Sequence, residues 1–162
     1  QVDVVAKRPP RDHPFPLDMD QLILGGAGSN TSPTERGISV GRESTDRRLN
    51  DTIEYLLRTY PKLATLPAHV VMDSMLDPNL SGSVNRLGRV AISPRHSDDL
   101  EMTDTIAHEL AHVYQDRNGG QGKRAEHYED RPDEQQAFAV GRNAAERRRR
   151  KMVIDYLNGV GK

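Results

Sequence analysis

Apolar residues recur every three or four positions in three stretches of this chain and gather into short β-branched runs in two others. Leu49, Ile53, Leu56 and Leu57 make one side of a helix that Ser44 or Thr45 can cap and that Pro61 ends. Ala68 to Asp73 and Arg89 to Ser93 read as strands, separated by the turn-rich Asp77 to Gly88. At about 100° per residue, Ile106, Leu110 and Val113 fall on one side of a helix from Thr103 to Asp116. Ala137, Phe138, Gly141, Ala144 and Ala145 form a stripe of mostly small residues on a further helix, which lets it approach a neighbour closely. Asp130, Pro132 and the acidic pair Asp133-Glu134 mark where that helix starts: a capping carboxylate, a proline in the first turn, then charges that the helix dipole favours. This order predicts a small α+β domain with a short sheet and a cleft between the last two helices.

The first 43 residues differ from the rest. Pro9, Pro10, Pro14 and Pro16 extend the chain, and Gly25-Gly26-Ala27-Gly28 loosens it. No Gly-Lys-Ser/Thr follows those glycines, so they do not read as a phosphate loop. Residues 1–43 are therefore expected to be an arm, a tether or a strap, and 44–162 the domain. Gly119 to Lys123 reads as a connector between the two last helices.

Composition narrows the possibilities. A chain of 162 residues with 4% aromatics and no Trp has a core built of Leu, Ile, Val, Ala and Met. The absence of Cys removes disulfides, thiolate metal ligands and cysteine catalysis together. A formal net charge of −1 makes no case for nucleic acid, and the basic run Arg147 to Lys151 reads as a solvated helix face. The longest apolar run near the start, Leu22 to Leu24, stops at Gly25, so no membrane span is expected. The chain begins at Gln1, which implies a removed leader or a larger parent protein.

Against that background one segment stands out, His108-Glu109-Leu110-Ala111-His112. Positions four apart on a helix lie one turn above another, so both imidazoles can reach one metal ion while Glu109 lies on the same flank. Random placement of 6 His and 9 Glu gives roughly 0.012 such windows, so chance is a poor account of the pattern. A catalytic zinc ion needs a third protein ligand. Metzincins would have Gly at 115 and His at 118, where this chain has Gln115 and Asn118. The downstream candidates are Glu126, His127, Glu129, Asp130, Asp133, Glu134 and Glu146. Glu134 is preferred, because it shares the buried stripe with Ala137 and Phe138 and a buried carboxylate requires a partner. Glu129 and Glu126 come next.

The stretch Thr105 to Gln115, followed by Glu134-Gln135-Gln136-Ala137-Phe138-Ala139, resembles the gluzincin metallopeptidases over about a third of the chain. The resemblance implies a zincin-like domain in which His108, His112 and Glu134 bind Zn2+ and Glu109 is the general base. It implies an endopeptidase: zinc activates a water, and Glu109 takes its proton and passes it to the leaving amine. His127 or Tyr128 is expected to stabilise the oxyanion, and Asp133, Asp130 or Asp104 to orient an imidazole. A peptide is expected to dock along Val90 to Ser93. His96 is expected to be a solvated loop residue near the cleft, and His69 a structural or surface one. A small domain behind a Pro/Gly-rich arm also resembles metallopeptidase toxin domains of secreted bacterial effectors. That likeness implies a protein or peptide substrate, a larger secreted protein around the domain, and an inhibitor or immunity protein; a periplasmic location is the alternative. The rival expectations are a non-catalytic zinc-binding interaction domain and a zinc amidase acting on a cell-wall amide.

Overall fold

The computed structural model of the chain describes Met19 and residues 38–40, 47–96, 98–117 and 131–160. Among the described residues four strands and three helices follow in order: β1 (Ser39–Val40), α1 (Arg47–Thr59), β2 (His69–Met72), β3 (Gly82–Val84), β4 (Arg89–Ile92), α2 (Asp99–Arg117) and α3 (Pro132–Leu157), with a 3-10 turn at Pro61–Thr65. The domain is α+β. Its sheet has the order β1-β2-β4-β3. β1 and β4 run parallel to β2, and β3 closes the far edge antiparallel to β4.

Each element follows from local chemistry. α1 buries Leu49, Thr52, Ile53 and Leu56 and stops at Tyr60, ahead of Pro61. Asn85 shapes the β3–β4 hairpin: its side-chain oxygen accepts from the Leu87 and Arg89 amides at 3.0 Å each. Gly88 has φ of 77°, and a Cβ there would sit 2.6 Å from the Pro67 carbonyl oxygen, so only glycine fits. The strand Gly82–Val84 lies inside the stretch expected to be turns. It is too short and polar to carry a β-branched signature, and its pairing with β4 makes it a strand.

That pairing corrects the expectation of a peptide along Val90 to Ser93. β4 is internal, bonded to β2 on one side and β3 on the other, and Ser93 N–H already donates to the Ser81 carbonyl. Its backbone groups are used, and the sheet edge nearest α2 belongs to β3. Within the stretch expected to be an arm, Ser39–Val40 extend the sheet and Met19 is buried in the core. The remainder of the arm, with its Pro and Gly clusters, and the connector Gly119 to Lys123 lie outside the described residues.

α2 is the central element, packed against α1, α3, β3 and β4. Met102, Ile106, Ala107, Leu110 and Ala111 are fully buried with Leu49, Leu56, Tyr60, Leu63, Val70, Val90, Ile92 and Val140. Each fully buried large aliphatic side chain contributes about 1.5–3 kcal/mol. α2 and α3 lie antiparallel, as their contacts show: Arg148 against Asp99 and Thr103, Gly141 against Asp104, Glu134 against the histidines, Gln136 against Gln115. At the middle contact a Cβ on Gly141 would lie 2.3 Å from Asp104 Oδ1 and 2.6 Å from the Asp104 carbonyl oxygen. The small-residue stripe thus brings the two helices together at backbone distance.

Arg148 corrects the picture of a uniformly solvated basic run. Arg149, Arg150 and Lys151 are exposed, whereas the Arg148 guanidinium is enclosed. It donates to Thr52 Oγ1 and Thr103 Oγ1 at 2.8 Å and to the Asp99 carbonyl at 3.2 Å, and pairs with the Asp99 carboxylate at 3.3 Å. It also lies over the Tyr55 ring. One cation thereby joins α1, α2 and α3. No helix among the described residues is long and apolar enough to cross a membrane.

Two expectations follow for urea denaturation. Gly141→Ala forces the helices apart and lowers stability by about 1–3 kcal/mol. Arg148→Met removes charge-assisted bonds and costs about 2–3 kcal/mol, whereas Arg149→Met, at an exposed position, changes stability by less than about 0.5 kcal/mol.

Candidate metal centre

α2 places His108 and His112 one turn apart, and the first turn of α3 brings Glu134 against them. His112 Nε2 lies 3.1 Å from His108 Nε2 and 3.2 Å from Glu134 Oε2, and His108 Nε2 lies 3.5 Å from the same oxygen. Three donors arranged tetrahedrally at about 2.0 Å from one ion are about 3.3 Å apart, so the observed triangle has the size such an ion requires. The cluster could hold a metal ion. The donor chemistry fits equally: two imidazole nitrogens and one carboxylate oxygen, all from buried or half-buried side chains.

The surroundings limit movement of the donors. The two imidazoles meet edge to face with centroids 4.7 Å apart, and Phe138 lies against His108 at 4.6 Å. Phe138 was legible as part of an apolar stripe, but not as the wall of a histidine. His112 Nδ1 is held 2.8 Å from Gln115 Oε1. The imidazole-orienting role expected of Asp133, Asp130 or Asp104 therefore falls, for His112, to Gln115. Asp104 packs at Gly141 and Asp133 offers its backbone carbonyl. The signal for Gln115 was available, a polar residue one turn beyond His112 on the same flank.

Glu109 is buried beside the cluster without being one of its three donors. Its carboxylate lies under the edge strand: a Cβ on Gly82 would come within 3.1 Å of Glu109 Oε1 and 2.7 Å of Thr105 Cγ2. A glycine in a strand interior is the mark of such close approach. Burial pushes the Glu109 carboxyl above the usual carboxylate range; the two histidines pull it down, and Glu134 adds to the rise. Burial lowers the proton affinity of His112, but the hydrogen bond and charge of Glu134, with help from Glu109, outweigh it, so the net direction is upward.

Among the described residues the other two histidines, His69 and His96, are not part of the cluster. His96, expected to be solvated, is buried, with Nε2 3.2 Å from the Ser81 carbonyl; burial lowers its proton affinity although Glu101 opposes the shift. His69 is exposed and pairs with Ser39 Oγ at 2.9 Å. α3 starts at Pro132 with Arg131 at the capping position. The alternative ligands Glu126 and Glu129, the expected cap Asp130, and the oxyanion candidates His127 and Tyr128 lie outside the described residues.

Compared with known proteins, the chain matches no family model, no curated protein and no solved structure. Its class rests on its own geometry, an α+β domain with a His-His-Glu cluster that could hold a metal ion between two antiparallel helices.

The proton affinities predict how pH acts on the metal-free protein. A His raised above 6.5 stabilises the fold below that pH, and the contribution is lost as pH rises through its folded value. Glu109, raised above 4.5, works in the same direction, because the folded state resists its ionisation. Melting temperature without metal is thus expected to fall as pH rises. Metal must displace the His112 proton, so its apparent affinity should rise about tenfold per pH unit while His112 is protonated. Melts with and without added zinc across pH check both signs; a zinc-induced gain that shrinks as pH rises excludes this cluster as the binding site.

Proposed function

We propose that this protein is a zinc-dependent endopeptidase of the gluzincin kind, with His108, His112 and Glu134 holding the ion and Glu109 as general base. The observation that carries the reading is Glu109, a buried carboxyl beside a three-donor cluster that does not include it. A structural zinc site closes its fourth position with another protein ligand and has no use for a free carboxylate. Here the described residues supply three donors and one adjacent base. The nitrogen-rich, tetrahedrally spaced set favours zinc over the harder cations that prefer oxygen.

When bound, zinc would polarise a scissile carbonyl and make a water easier to deprotonate. Glu109 would accept that proton on its carboxylate as the water oxygen bonds to the carbonyl carbon. It would release the proton to the amine nitrogen as the carbon–nitrogen bond breaks. Its proton affinity, raised by burial, favours taking up the proton it must later return. His112, held at Nδ1, keeps Nε2 directed at the cluster. The backbone of β3 passes directly over Glu109, and an extended peptide added to that edge as a further strand would bring its carbonyl to the base. Delivery within a secreted protein accompanies this proposal on the arm's composition alone.

Glu109→Gln tests the role directly. It is expected to keep one zinc per chain, measured by metal analysis, while cleavage of an unfolded protein drops by about 10²–10⁴-fold. His108→Ala should lose zinc and cleavage together. Wild-type cleavage by Glu109→Gln removes Glu109 as the base, and a zinc-loaded wild type that cleaves no unfolded protein leaves the non-peptide amide or the zinc clip.

A further inference from the structure

Gln115 sits where the two ligand-bearing helices meet beyond the metal cluster, and every polar group of its buried side chain is engaged. Its Oε1 lies 2.8 Å from His112 Nδ1. Its Nε2 lies 2.9 Å from the backbone carbonyl of Asp133 and 2.8 Å from Gln136 Oε1. A backbone carbonyl can only accept, so the amide atom facing Asp133 must be the NH2 group, and the orientation of the amide is settled. Oε1 then faces the imidazole and can only accept. His112 thereby has an acceptor at Nδ1, and in the neutral ring a proton there leaves the Nε2 lone pair for a metal ion, whereas a proton on Nε2 would face Glu134 Oε2 at 3.2 Å. The two amide hydrogens meanwhile bind Asp133 and Gln136, on either side of Glu134 near the start of α3.

We infer that Gln115 is a positioning residue that both selects the metal-competent tautomer of His112 and holds the Glu134 turn in register with α2. The inference rests on the metal-binding reading of the cluster, though not on peptide hydrolysis. One side chain links two ligands on different helices: the acceptor end acts on His112 and the donor end on Glu134. The two ends can be separated by mutation. Gln115→Met preserves length and apolar bulk but removes both. Gln115→Glu keeps an acceptor for Nδ1 and gives up the donors to α3.

Two measurements decide it. In metal-free protein at alkaline pH, imidazole nitrogen spectra are expected to show a larger Nδ1–H share for His112 in wild type than in Gln115→Met; an equal share in the two overturns the tautomer role. In zinc competition against a chelator, Gln115→Met should bind about 10–100-fold more weakly. Gln115→Glu should recover most of the affinity and of the Nδ1–H share while melting below wild type. Lower melting temperatures in both variants with unchanged zinc affinity and tautomer would mean Gln115 is only a helix-packing residue. If wild type binds no zinc, the metal reading fails, and the tautomer spectra still decide what Gln115 does to His112.

Discussion

The distance between α2 and α3 governs everything at the candidate metal centre. His108 and His112 come from one helix and Glu134 from the other, so the ligand triangle closes only if the two axes approach closely. Gly141 permits that approach by leaving no Cβ between its backbone and Asp104. Ala137 and Ala144 flank it on the buried face. Larger residues would hold the helices apart, as ridge-and-groove packing requires, and Glu134 would recede from both imidazoles. Arg148 and Gln115 then fasten the antiparallel pair near its two ends. The first is a charged clamp onto α1 and the start of α2, the second a neutral clamp at the ligands themselves.

The centre also concentrates charge where water is scarce. Glu109 and Glu134 are both buried, and each would be costly as an isolated anion. Without a metal, protons take up the role of a cation. The carboxylates raise the proton affinity of His112, and burial with Glu134 raises that of Glu109. A divalent ion would replace the His112 proton with a stronger, fixed positive charge. The surrounding packing is well suited to this exchange, because Phe138 and the buried body of α2 keep the donors from moving apart. Sites built on core helices hold their geometry better than sites built on loops.

The edge strand adds the remaining constraint. β3 is three residues long, yet it places backbone over Glu109 through Gly82. It is held there by pairing with β4 and by the Ser81 carbonyl, which accepts from the Ser93 amide and lies within reach of His96 Nε2. The loop leading into α2 thus secures the strand above the base that α2 carries.

Much of this was legible in residue order, because the relevant physics is local. Helical periodicity located α1, α2 and α3, and the four-residue spacing of His108 and His112 put both rings on one flank. The combination of proline, acidic residues and a small-residue stripe singled out Glu134. Other features depend on residues far apart in the chain. The strand at Gly82–Val84 exists through its pairing with β4, which in turn makes β4 internal. Arg148 looks like its neighbours in a basic run until Thr52, Asp99 and Thr103 surround it. Gln115 acquires its meaning from Asp133 and Gln136 on another helix. Periodicity and spacing report what one helix or strand does by itself. Which polar groups end up buried together, and so must satisfy one another, is decided only when the elements pack.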